Sequence, residues 1–151
     1  MSMKKVVFDT TILVSGLCSN QGASYRLLEM ALSRRENFQL IISPALFFEY
    51  ETVLKHPDQV AIHRLRPEEI ETFLRVLLFV ANPLYPSFTW RALLADPLDI
   101  PLADLVIAAK VEYLVATNPP HFTSINLAAF GCSVVRPGTF LSSLLAEEEP
   151  L

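Results

Sequence analysis

Short apolar runs alternate with amphipathic stretches along this chain, and that alternation predicts its architecture. Val6-Val7-Phe8 is an uninterrupted apolar run ending at Asp9, the pattern of a strand buried on both faces. Ile12 to Leu17 stays apolar, and Ser19-Asn20-Gln21-Gly22 reads as a turn. Leu27, Leu28, Ala31 and Leu32 then recur at helical spacing, with Ser24 as the expected cap and an end near Arg35. Phe38 to Ile42 is a second strand. Ser43-Pro44 has the cap and first-turn proline of a helix reaching about Lys55, where His56-Pro57 stops it. Asp58 to Arg66 reads as a connector. Pro67-Glu68-Glu69 opens a helix to about Val80 whose apolar side is Ile70, Phe73, Leu74, Leu77 and Leu78.

Beyond it, Asn82 to Ser87 is a loop with room for an edge strand, and Phe88 to Ala95 reads equally as a helical turn or a loop. Asp96-Pro97-Leu98-Asp99-Ile100-Pro101 feeds a helix from Leu102 to about Val111. Strands at Tyr113–Ala116 and Cys132–Val135, a short helical piece between them, and a helix after Pro137-Gly138 complete the series. Strands alternating with helices imply βαβ units, right-handed crossovers and a mostly parallel central sheet flanked by helices, an α/β three-layer sandwich.

Composition supports a packed globule: 52% of the 151 residues are hydrophobic. The expected organisation is one domain over residues 1–146 with a loose acidic tail at 147–151. No apolar run reaches the roughly 18 residues that span a bilayer, and no signal-peptide pattern opens the chain. Cys18 and Cys132 are too few for a disulfide framework, so a cytoplasmic setting is expected. The net charge is −4, and without Glu147, Glu148 and Glu149 the body carries −1. A body so near neutral argues against a broad basic face for nucleic acid, while leaving room for a small groove with a positive rim.

The chemistry concentrates in the acids. Only five aspartates are present, and Asp96, Asp99 and Asp104 fall within nine residues. Asp9 stands where the first strand ends, and ligands of open parallel sheets bind beyond the carboxyl ends of strands. Glu49, one turn into the helix after the second strand, can point back over the same edge. Convergent carboxylates repel one another, and a hard divalent cation with oxygen ligands relieves that repulsion. Each acid also has a plainer role: Asp9 as a helix cap, Glu49 as a solvated helical residue, Asp96 or Asp99 as turn formers, Asp104 at a helix N-terminus.

Taken together and in order, these stretches resemble the PIN-domain ribonucleases. Val6-Val7-Phe8-Asp9-Thr10-Thr11-Ile12-Leu13-Val14-Ser15 is similar to that family's opening motif, with Thr11 where an asparagine is usual. Ser43-Pro44-Ala45-Leu46-Phe47-Phe48-Glu49-Tyr50 resembles its second motif, and Asp96-Pro97-Leu98-Asp99-Ile100-Pro101-Leu102 its third. Tyr113-Leu114-Val115-Ala116-Thr117-Asn118-Pro119-Pro120-His121-Phe122 is similar to the fourth, with Asn118 where many members carry an aspartate. Arg136-Pro137-Gly138-Thr139-Phe140-Leu141 matches the usual ending.

The resemblance implies a VapC-like toxin of a toxin–antitoxin pair that hydrolyses single-stranded RNA with Mg²⁺ or Mn²⁺. It assigns Asp9, Glu49 and Asp99 to the metal and to catalysis. Thr10, Thr11, Asn118, Asp96 and Asp104 become supporting or substrate-binding residues, with Asp96 and Asp104 as alternatives for the third acid. A small antitoxin partner and a homodimer follow, with the apolar helical surface around Phe73 to Phe79 as a candidate face. The substitutions at Thr11 and Asn118 also admit a degenerate domain that binds RNA or a protein without cutting. His63-Arg64-Leu65-Arg66 and Arg34-Arg35 read as solvated surface or phosphate contacts, and His121 as a loop-closing residue.

Overall fold

The computed structural model describes residues 4–33, 38–83, 100–118 and 127–148; for 82–83, 100–104, 129–130 and 147–148 only the backbone course is described. Five strands form one sheet: β1 (Lys4–Phe8), β2 (Phe38–Ile42), β3 (Asn82–Pro83), β4 (Tyr113–Val115) and β5 (Ser133–Val135). Their order is β3-β2-β1-β4-β5, and every adjacent pair is parallel. Parallel pairing requires crossover connections, and helices supply them. These are α1 (Thr10–Cys18), α2 (Ala23–Leu32), α3 (Pro44–Leu54), α4 (Pro57–His63), α5 (Pro67–Val80), α6 (Ile100–Ala109) and α7 (Pro137–Glu148), with a 3₁₀ turn at Leu127–Phe130. The α/β layering expected from the alternation is what the chain adopts.

β1 lies at the centre, and its apolar second half is covered by strands on both sides. Val6 pairs with Leu40 on one side and Tyr113 on the other, and Phe8 pairs with Val115. Val6, Val7, Phe8, Leu114 and Val115 are completely buried. Each such side chain contributes about 1.5–3 kcal/mol by leaving water. Phe38 stacks between Phe8 and Phe140, at ring separations of 5.7 and 5.6 Å, and so ties α7 to the sheet.

The boundaries differ from the sequence pattern in four places. Pro57 does not end structure after α3 but occupies the first turn of α4, where His56 Nδ1 accepts from the Asp58 amide. The expected connector 58–66 is therefore largely helical. His63, expected at the surface, is buried: Nε2 donates to the Leu54 carbonyl (2.9 Å) and Nδ1 accepts from the Leu65 amide (3.0 Å). It closes α4 rather than meeting a ligand. Ser24 is buried within α2 instead of capping it, and Gly22 holds the cap position. Lastly, α7 runs through Glu148, taking in two of the three glutamates expected in the tail.

Candidate active site at the carboxyl edge of the sheet

The strand order reverses between β1 and β4, since the chain moves outward from β1 to β2 and β3 and then returns to β4. Such a switch point opens a crevice at the carboxyl ends of the strands. Asp9 stands in it. Its amide donates to the Val115 carbonyl (2.9 Å), extending the β1–β4 pairing by one step, and its extended backbone ends the strand. The side chain then caps α1, with Oδ2 accepting from the Thr11 amide (3.3 Å) and the Thr11 hydroxyl (2.6 Å).

Glu49 reaches the same place from α3. Ser43 Oγ accepts from the Leu46 amide (3.1 Å), and Pro44 supplies a first-turn φ already suited to a helix. That start sets the register of α3, and the fully buried Tyr50 fixes its rotation by donating its hydroxyl to the Phe8 carbonyl (2.6 Å). One residue earlier, Glu49 Oε2 accepts from the buried Thr10 hydroxyl (2.6 Å). Burial first, then the negative charges of Asp9 and Glu49, hold the Tyr50 hydroxyl well above its usual range. Both carboxylates therefore lie close enough to the end of β1 to act on the same hydroxyl.

The two threonines thus divide the work. Thr10 orients Glu49 and Thr11 orients Asp9, which gives each of these expected supporting residues a carboxylate of its own. Thr11 does more: its hydroxyl also accepts from the Thr117 amide (3.2 Å), linking Asp9 to the exit of β4. Arg136, after β5, donates through Nη1 to the Thr117 carbonyl (3.1 Å). Asn118 follows Thr117 on this edge and is exposed. Asp104 lies on α6, where only its backbone is described, and Asp96, Asp99 and His121 lie outside the described residues, as do Arg34 and Arg35. The sequence pattern brings in Tyr50 only as the last residue of the second motif. A hydroxyl-bearing ring beside an acid, on the face that packs on the strand, was the available signal.

The PIN domain family model matches residues 5–119. This chain belongs to the PIN-domain family. PIN domains are generally nucleases and typically use divalent metals. The PIN fold here is similar to that of a chain in the crystal structure of VapBC2 from Rickettsia felis bound to a DNA fragment from their promoter, with a TM-score of 0.61 and 17% identity over 87% of this chain and 98% of that one. No curated protein matches the sequence.

The donors at the PIN edge suit a hard divalent cation: two carboxylates flanked by hydroxyls, all oxygen. Among the described residues no three His, Cys, Asp or Glu side chains gather as a metal site. The described set therefore supplies two acids, and the residues expected to add a third are those whose side chains lie outside it. No helix among the described residues is long and apolar enough to cross a membrane.

Proposed function

We propose that this PIN domain is an endoribonuclease that hydrolyses single-stranded RNA with Mg²⁺ or Mn²⁺. In this reading it is the toxin of a toxin–antitoxin pair, restrained in the cytoplasm by a small antitoxin protein. The observation that carries it is the pair of hydroxyl clamps, Thr10 on Glu49 and Thr11 on Asp9, which aim two acids from different elements at one switch-point crevice. A solvated helix residue needs no such clamp as Glu49 has, and Thr11 does more than complete the Asp9 cap, since it also ties Asp9 to the exit of β4. The likeness to a VapBC2 chain supports the toxin assignment.

Asp9, Glu49 and Asp99 hold the ion, with Asp96 or Asp104 as the alternative third ligand. When bound, such an ion lowers the pKa of its water and offsets charge on the phosphoryl group. The chain's own part is orientation. Each threonine donates to one carboxylate oxygen and so keeps that group from rotating away from the crevice. Asn118, with a donor and an acceptor, supplies a neutral hydrogen-bonding group for substrate at the mouth of the site. The domain forms a homodimer, and α5 offers a face for it: Val76, Leu78 and Phe79 are exposed, Phe79 at 72%.

Purified protein incubated with fluorescent single-stranded RNA should cut it with Mn²⁺ and stop with chelator. Asp9→Asn should abolish cutting, because asparagine keeps the helix cap and loses the charge. Cleavage that survives both changes would sink the metal-dependent reading. Absence of both Mn²⁺ binding by calorimetry and cleavage would favour the degenerate domain.

A further inference from the structure

The net-negative chain must bring a polyanion to a pair of carboxylates, and the structure contains a feature suited to that problem. Beside the crevice lies an open groove of about 590 Å³ lined by Thr117, Arg136, Pro137, Gly138, Thr139 and Ser142. It adjoins the candidate site through a continuous set of hydrogen bonds. Asp9 Oδ2 accepts from the Thr11 hydroxyl, which accepts from the Thr117 amide, and the Thr117 carbonyl accepts from Arg136 Nη1.

Arg136 is the cation of this groove. Arg26 and Arg66 pair with Glu29 and Glu69, but among the described residues no carboxylate pairs with Arg136, and the Thr117 carbonyl is its one hydrogen-bond partner. A guanidinium carries five N–H donors in a rigid fork. One bond fixes its position and leaves the others for a ligand. The hydroxyls of Thr139 and Ser142 likewise have no protein partner among the described residues. The space above Gly138 is open, with nothing within 4 Å of where a Cβ would stand.

We propose that this groove is a phosphate subsite: Arg136, with the Thr139 and Ser142 hydroxyls, holds a backbone phosphate of single-stranded RNA next to the one presented to Asp9 and Glu49. The proposal rests on the ribonuclease reading and adds to it the residue that seats the strand. Arginine matches phosphate oxygens through two parallel hydrogen bonds, and this fit is independent of base identity. The contact lies away from the reacting phosphate and is made equally in the bound and transition states. Arg136 is therefore a positioning residue acting on binding rather than on the chemical step.

The test is binding of a short fluorescent single-stranded RNA to the full chain by anisotropy across a salt series, with chelator present and the RNA checked intact on a gel. Each phosphate neutralised on a single strand contributes a slope of about −0.7 to log K against log salt. Arg136→Gln should reduce the slope by about that amount and weaken binding about tenfold at low salt. Arg136→Lys should keep the wild-type slope, which a purely structural role for the Thr117 bond would not predict. Ser142→Glu, which leaves that bond alone, should weaken binding as well. In cleavage, Arg136→Gln should raise KM with kcat unchanged. A Gln variant with wild-type slope and affinity overturns the subsite even when RNA is cut, and leaves the ribonuclease reading standing. If the wild-type chain neither binds RNA here nor cuts it with Mn²⁺, both fall.

Discussion

Thr10→Val isolates the Glu49 clamp. Valine keeps the β-branched shape that fits this position in α1 and deletes only the hydroxyl. Thr10 is 7% exposed, so water has poor access to replace what is lost. The 2.6 Å bond runs to a carboxylate, and hydrogen bonds to charged groups contribute about 1.5–3 kcal/mol. Glu49 is half-buried and can recover some solvation by turning outward, so the lower part of that range applies, about 1.5–2 kcal/mol. For a domain of this size the melting temperature should fall by roughly 3–8 °C.

The functional effect is larger and separable. Removing a partner that orients a metal ligand typically costs about 10–100-fold in metal affinity or activity. Mn²⁺ titration by calorimetry should show that loss, and cleavage at fixed Mn²⁺ should fall with it. Thr10→Ser should restore both, since the serine hydroxyl can make the same bond. A valine variant that melts lower yet binds Mn²⁺ and cuts RNA as well as wild type would refute the reasoning, because Thr10 would then be a packing residue alone.

Other consequences follow from the packing around the site. Tyr50→Phe strands the buried Phe8 carbonyl and should cost about 1–3 kcal/mol, read as a lower urea midpoint at unchanged m-value. The Tyr50 hydroxyl also ionises later in the fold than its ordinary 10.0, so the unfolded chain loses that proton first; stability should fall as pH rises above 10, and Tyr50→Phe should blunt the fall. Burial pushes the Cys132 thiol from 9.0 to about 11, so stability should decline between those values, less steeply in Cys132→Ala, when thermal melts are compared across pH. Gly16→Ala would drive a Cβ into Leu28 Cδ1 and close to the Ser24 carbonyl carbon (3.3 Å), where α1 and α2 touch; a net loss of about 1–3 kcal/mol in chemical denaturation should outweigh alanine's better helix propensity.

How much of this was legible in advance depended on how local each signal was. β1 and β2 declare themselves by apolar runs, and α3 and α5 by a cap or proline followed by helical spacing. α4 was lost because Pro57 carries two opposite meanings, the end of one helix and the first turn of the next. Only the helical geometry of 57–63 separates them. Ser24 shows the same ambiguity, since a serine near a helix start is a cap or, as here, a small buried residue where helices meet. Asp9 and Glu49 were legible from position alone, one at a strand end and one a turn into a helix. Which threonine serves which acid was not, because it depends on the rotation of α3 against β1, a long-range property fixed by Tyr50.

That rotation explains why the site stands on this edge with two clamps rather than one. The Tyr50 hydroxyl needs an acceptor in a water-free place, and the Phe8 carbonyl provides one at the last residue of the central strand. Once that bond is made, residue 49 necessarily lies over the first turn of α1, where Thr10 points inward and meets Glu49, while Thr11 is exposed and meets Asp9. Two consecutive hydroxyls at a helix start face different directions, so each can serve a carboxylate from a different element. In place of the usual asparagine, Thr11 orients Asp9 with its one hydroxyl proton while its oxygen accepts from the Thr117 amide. One side chain thus holds Asp9 and ties it to the exit of β4, so the carboxylate is fixed from both the helix and the sheet without the amide usual at this position.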